Sequence, residues 1–224
     1  MVPRAPRAAR GAAKDRAFDY VKARVLTGAF AGGELISEGE VATALDMSRT
    51  PVREAFLRLE AEGLLRLYPK RGALVVPVSP EEIREVMEAR LVLEQFAAQK
   101  VIRLGAAARK GAFGRLSAEL KRQRKAGGAR DLGEFLESDR AFHAVTIEDT
   151  ENAILTGFYA SLRDRQMRMI GESTVRDPRR IATIIDEHRA IAEAIRDGSL
   201  PRALQAVEIH HASTVRALGI AVDA

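Results

Sequence analysis

The stretch SRTPVREAFLRLEAEGLLRLYPKRGALVV, residues 48–76, decides the fold. Val52, Ala55, Phe56 and Leu59 recur at helical spacing and line one face of an α-helix. Thr50 reads as its N-cap and Pro51 as its first helical residue, a position where a missing N–H costs nothing. Gly63 marks its end. Two β-like runs follow, 64–68 and 73–77, joined by Pro69-Lys70-Arg71-Gly72 in the pattern of a hairpin turn. Upstream, a helix over 14–28 ends at Gly28, and a shorter one runs roughly from Glu38 to Leu45. Asp46–Arg49 is the turn between that helix and the next. Two short helices across a tight turn, followed by a hairpin, make a winged helix-turn-helix.

Working outward along that second helix, the face opposite the apolar stripe presents Arg49, Thr50, Arg53 and Arg58. A helix fits the major groove of B-DNA and reads bases from its N-terminal turns, where Arg49 and Arg53 stand. Arginine there can donate two parallel hydrogen bonds to a guanine. The Thr50 hydroxyl and the free N–H groups of the helix start suit a phosphate. Lys70 and Arg71, with Gly72 allowing a tight tip, are expected to carry the wing into the adjacent minor groove.

Beyond Pro77 the pattern is helical throughout, and Ser79-Pro80-Glu81-Glu82 is a strong helix start. Six helices are expected, near 80–103, 106–125, 131–147, 151–170, 178–197 and 201–218. The predicted architecture is therefore mainly α. Residues 1–13 form a disordered basic arm, 14–77 a winged helix-turn-helix, and 78–224 an all-α six-helix bundle for effector binding and dimerisation.

Composition narrows the function. The 224 residues contain no cysteine, which excludes disulfides, thiolate metal sites and cysteine nucleophiles. No apolar run approaches a membrane span, and the N-terminus lacks an apolar signal core, so a cytoplasmic protein is expected. The net charge is +5 overall; residues 1–77 hold 13 Lys+Arg against 9 Asp+Glu, and the rest hold 23 against 22. The basic excess of the first third points to a polyanion partner for it.

The four histidines, His143, His188, His210 and His211, all fall in the helical part. Asp139 and His143 stand four apart on one helical face, a spacing that can chelate a single cation. His188 interrupts an apolar stripe of Ile181, Ile184, Ile185, Ile191 and Ile195. It precedes the turn Gly198–Pro201 by about ten residues, and His210 follows that turn by about ten. Folded back antiparallel, both imidazoles would lie about 15 Å from the turn, at one height. Spacing alone leaves His211 open as the alternative. Three imidazoles and a carboxylate suit zinc first, with nickel or another divalent metal as alternatives.

The run Ser48–Leu64, with Lys70-Arg71-Gly72, resembles the signature of the GntR family of bacterial regulators. Ala89–Glu94, Asp139–His143, Glu187-His188 and Ala206–His210 resemble the effector domain of its FadR-type branch, the FCD domain. A six-helix count would fit the VanR-like subgroup. The resemblance implies DNA contacts from Arg49, Thr50, Arg53 and Gly72. It implies a divalent metal on Asp139, His143, His188 and His210, and a small organic acid as effector. It also implies a homodimer on operator DNA. Gly39 departs from members that carry an operator-touching arginine there. The family often has an arginine near the cavity at the position of Arg90, although an ion pair with Glu94 on the helix surface is the plain alternative.

The reading is a non-enzymatic transcriptional regulator, a repressor in the first instance, with no membrane partner. A metal-dependent hydrolase lacks support, because no H-E-x-x-H arrangement supplies a base beside the metal. An architectural DNA binder with a structural metal is the third alternative.

Overall fold

A computed structural model describes residues 7–162, 165, 167–169, 177 and 179–219. The chain divides into two compact units, Met1–Val78 and Ser79–Ala224.

The first unit runs α1 (Arg7–Leu26), β1 (Leu35–Ile36), α2 (Glu38–Ala44), α3 (Arg49–Ala61), β2 (Leu65–Tyr68) and β3 (Gly72–Val75). The strands form an antiparallel sheet in the order β1-β3-β2. Phe18, Val21 and Val25 of α1, Val41 of α2 and Val52, Phe56 and Leu59 of α3 pack into one core with Leu65, Ala73 and Val75 of the wing. Helix α2 opens on a capping box: Glu40 N–H donates to Ser37 Oγ at 3.1 Å, and Ser37 N–H donates to the Glu40 carboxylate at 3.0 Å.

Two local expectations change here, and one strand is added. Residues 7–13, expected in a disordered arm, belong to α1, because Ala8, Ala9, Ala12 and Ala13 favour a helix once Pro6 is passed; Met1–Pro6 lie outside the described residues. The N-cap of α3 is Ser48, in an extended conformation, rather than Thr50. Pro51 then sits in the first turn, where backbone N–H groups lack helical partners anyway. The short strand β1 lies where the sequence pattern predicts no element, and it adds a third strand beside β3.

The second unit runs α4 (Pro80–Arg103), α5 (Ala106–Ala129), α6 (Leu132–Glu148), α7 (Ala153–Ser161), α8 (Arg180–Asp197) and α9 (Leu200–Ala217). Ser79 caps α4 by accepting from Glu82 N–H at 3.0 Å, with Pro80 in the first turn. Helix α5 packs against α6 and α8, α8 against α9, α9 against α4, and α4 against α6, closing a ring around a core. Gly198, at φ +69°, ends α8 and turns the chain into α9. The single helix expected over 151–170 is interrupted. Helix α7 ends at its cap Leu162, and Arg165 and residues 167–169 are helical again beyond it. The six-helix count that pointed to the VanR-like subgroup therefore acquires a break. No helix among the described residues is long and apolar enough to cross a membrane.

Candidate nucleic-acid interface and metal centre

In the first unit, α3 and the wing enclose an open groove of about 750 Å³, lined by Arg49, Arg53, Lys70, Arg71 and Gly72 among others. Arg49, Thr50, Arg53, Lys70 and Arg71 are all exposed. Arg53 is held loosely, its Nε 3.9 Å from Glu38 Oε1. The Arg49 guanidinium lies against Gly39, where an added Cβ would come within 3.3 Å of Nη2. Glycine at position 39 thus leaves room for Arg49 itself.

The wing tip is a tight turn closed by Arg71 N–H donating to Tyr68 O at 3.0 Å. Pro69 occupies its second position, and Lys70, at φ +63°, its third. Glycine or asparagine is the usual choice there. Gly72, at φ +99°, has a structural duty as well, since a Cβ would meet Ile36 O at 2.4 Å. Arg58 stands apart from the groove. Its guanidinium covers the Phe18 ring at 3.7 Å and pairs with Asp15 at 3.6 Å and Glu62 at 3.5 Å, fastening α3 to α1.

In the second unit, α6, α8 and α9 bring His143, His188 and His210 together. Each offers one nitrogen within 4.8 Å of the others, and all three are buried. Their outer nitrogens are occupied: His143 Nδ1 by Glu94 at 3.0 Å, His188 Nδ1 by Gln123 Oε1 at 3.0 Å, and His210 Nδ1 by Glu187 at 2.8 Å. Three acceptors fix three Nδ1–H tautomers, which turns every Nε2 lone pair inward. His143 Nε2 and His188 Nε2 lie 3.1 Å apart, and His210 Nε2 has no hydrogen-bond partner. Two lone pairs facing each other at that distance, out of water, call for a cation between them.

Burial first, and neighbouring imidazoles next, hold His188 and His210 well below the ordinary histidine value, so both are neutral and able to ligate. Asp139 is buried too. Its Oδ1 is unpartnered, 3.8 Å from His188 Nε2, and burial pushes its carboxyl up. These donors fit a divalent metal ion.

Glu94 is the organising residue, and its pair with Arg90, which the alternative reading put on the helix surface, is buried. Its carboxylate meets Arg90 Nε at 3.0 Å, Tyr159 OH at 2.7 Å, His143 Nδ1 at 3.0 Å and His211 Nε2 at 3.1 Å. Burial opposes its charge, but Arg90 and the two histidines hold it well below the usual carboxylate range. Arg90 is 1% exposed and leaves Nη2 without a partner. His210, not His211, joins the trio. Glu187 is steadied in turn by Arg180, at 3.3 and 3.4 Å. A sequence signal for this shell existed. Arg90 and Glu94 share the stripe Ile83, Val86, Met87, Leu93, Ala97, Val101, and Gln123 shares that of Leu116, Leu120 and Ala126, each a polar residue where burial is required.

The sequence profile described as bacterial regulatory proteins of the gntR family matches residues 13–75, and that of the FCD domain matches residues 85–213. The chain belongs to the GntR family. Among GntR relatives, an HTH-type transcriptional regulator of Streptomyces ambofaciens is 32% identical over 197 residues, 85% of this chain and 79% of that one. The gluconate operon transcriptional repressor of Bacillus subtilis is 26% identical over 197 residues, 85% and 77% of the two chains. A GntR transcriptional regulator from Rhodococcus sp. RHA1 has the same fold, with a TM-score of 0.73, 20% identity, and coverage of 93% of this chain and 99% of that one. The protein is a GntR-type transcriptional regulator with an FCD domain, and operator DNA is the partner of such regulators.

Proposed function

We propose that this regulator is a homodimeric, cytoplasmic repressor whose hold on its operator answers to a small organic acid at a metal-containing cavity. The observation that carries the reading is the inward convergence of three imidazole Nε2 atoms, each with its Nδ1 pinned from behind.

On the DNA side, Arg49 and Arg53 read base edges, Thr50 takes a phosphate, and Lys70 and Arg71 reach the backbone or minor groove over a tip that Gly72 keeps tight. Arg58 is left to its packing role against α1. In the cavity, His143, His188, His210 and Asp139 hold a divalent ion, zinc before nickel or another metal. Such an ion supplies Lewis-acid attraction for a carboxylate. Arg90 contributes its free Nη2 to the same anion, while Glu94, Gln123 and Glu187 keep the imidazoles aimed. Repression is supported by relatives named as gluconate operon repressors. A two-fold dimer matches the paired half-sites that helix-turn-helix proteins use. Effector binding controls DNA only as far as the effector distinguishes two arrangements of that dimer.

The test joins three measurements on the full chain: metal per chain, melting temperature with a panel of organic acids, and operator affinity with and without each acid. His188→Ala is expected to lose the metal and the acid-induced thermal shift while keeping operator affinity. Unchanged metal content in that variant would overturn the ligand set. An operator affinity that no acid alters would reduce the metal to a structural staple.

A further inference from the structure

The net charge of residues 78–224 is close to zero, but one helix departs from that average. Helix α5 carries Arg109, Lys110, Arg115, Lys121, Arg122, Arg124 and Lys125 against a single carboxylate, Glu119. Three of the cations are committed: Arg109 donates to Ile102 O at 3.4 Å, Arg115 pairs with Glu148 and Asp149, and Arg122 with Glu119 and Glu134. Lys110, Lys121, Arg124 and Lys125 are exposed, and their side chains make no ion pair or hydrogen bond among the described residues. At α-helical spacing these four share one face, about 22 Å long from Lys110 to Lys125. No carboxylate interrupts it; the adjoining exposed positions are Ala107, Gly111, Gly114, Ala118 and Gly128.

The glycines sharpen the point. Glycine inside a helix is destabilising relative to alanine. Gly127 has a reason within the fold, because a Cβ would meet Ile181 Cγ2 at 2.8 Å. Gly111, Gly114 and Gly128 have none: a Cβ at each would meet nothing within 4 Å. They leave the face flat between its cations. A second copy of the same face would repel this one. A duplex, with its closely spaced phosphates, would be attracted along its whole length.

We propose that the outer face of α5 is a second DNA-binding surface, one that takes the sugar–phosphate backbone of a duplex without reading its sequence. The inference rests on the chain being a DNA binder, and the face is separate from the groove formed by α3 and the wing.

The experiment uses the full-length protein and a long duplex of random sequence, titrated over a range of salt concentrations. Lys121→Ala/Arg124→Ala/Lys125→Ala is expected to weaken binding at low salt by about tenfold or more and to lower the log–log salt slope by about 2–3, at roughly 0.9 for each phosphate no longer neutralised. Gly111→Gln/Gly114→Gln keeps every charge and favours the helix; it is expected to melt no lower than the parent yet bind random duplex more weakly. An Arg53→Ala control is expected to lose operator preference and keep the α5-dependent slope. If both α5 variants bind random duplex as the parent does while Arg53→Ala still loses operator preference, the α5 surface is refuted and the DNA reading stands. A parent chain with no affinity for any duplex refutes both. Binding to phosphatidylglycerol vesicles that disappears in the triple variant, with DNA binding unchanged, overturns the proposal in favour of a membrane surface.

Discussion

Two arginines divide this molecule. The Arg53 side chain, at the groove of the first unit, is 73% exposed; that of Arg90, inside the second, is 1% exposed. In water a cation needs no partner until a phosphate or base arrives. Out of water it must be matched, or its charge costs several kcal/mol. The groove can therefore hold nearly unpaired charge, as the proposed contact with a duplex requires. The histidine centre has each outer nitrogen engaged and only its inward atoms free. The readiness of the first site is electrostatic and that of the second is geometric.

That contrast can be broken at its strongest point by removing the counter-charge of Arg90. Glu94→Ala should destabilise the folded chain by about 3–5 kcal/mol in chemical denaturation, because a buried guanidinium is left uncompensated. A loss below about 1 kcal/mol would mean that the centre tolerates charge as the surface does. Next in size is Gly72→Ala, expected to cost on the order of 3 kcal/mol of stability through its positive φ and the contact with Ile36 O; wild-type melting would show the wing to be more yielding than its geometry implies. Arg53→Ala should leave stability within the small range of surface changes and weaken operator binding by about 1–3 kcal/mol. A footprint indistinguishable from the parent would remove Arg53 from the reading surface. The smallest expected effect carries opposite signs. Lys70→Gly relieves the left-handed backbone at the wing tip, so stability should rise by about 0.5–1 kcal/mol. DNA affinity should fall, with the salt slope lower by about 0.9. A variant that gains stability and keeps the full slope would show that Lys70 does not meet the duplex.

The two sites were legible in the sequence to different degrees for the same reason. The groove is written in one contiguous run, residues 48–72, where helix period, turn chemistry and exposed cations are read together. Even its error is local, since Ser48 displaces Thr50 as the cap, and the strand Leu35–Ile36, for which no element was expected, pairs with Ala73 and Leu74. The centre is assembled from distant segments. His188 and His210 could be related through their equal offsets from the turn at Gly198, and their ring centroids stand 4.6 Å apart. Nothing comparable tied Gln123 to His188, 65 residues away, or Tyr159 to Glu94. Those bonds follow from helix packing, which spacing along one helix does not report. The surface placement of the alternative ion pair between Arg90 and Glu94 failed on a dielectric point. Four-residue spacing to Glu94 describes a surface pair and a buried pair equally well. Only the apolar company of Ile83, Val86, Leu93 and Ala97 tells them apart.

The seating of Gly72 against Ile36 also bears on how such a regulator diversifies over generations. The side chains of Arg49, Arg53, Lys70 and Arg71 stand in solvent, so drift can exchange them with little loss of foldedness. The residue at 72 has no such freedom, because any larger side chain runs into the edge strand. If those four side chains read the operator as proposed, new preferences can arise by respelling them, while position 72 stays confined to glycine by the strand beside it.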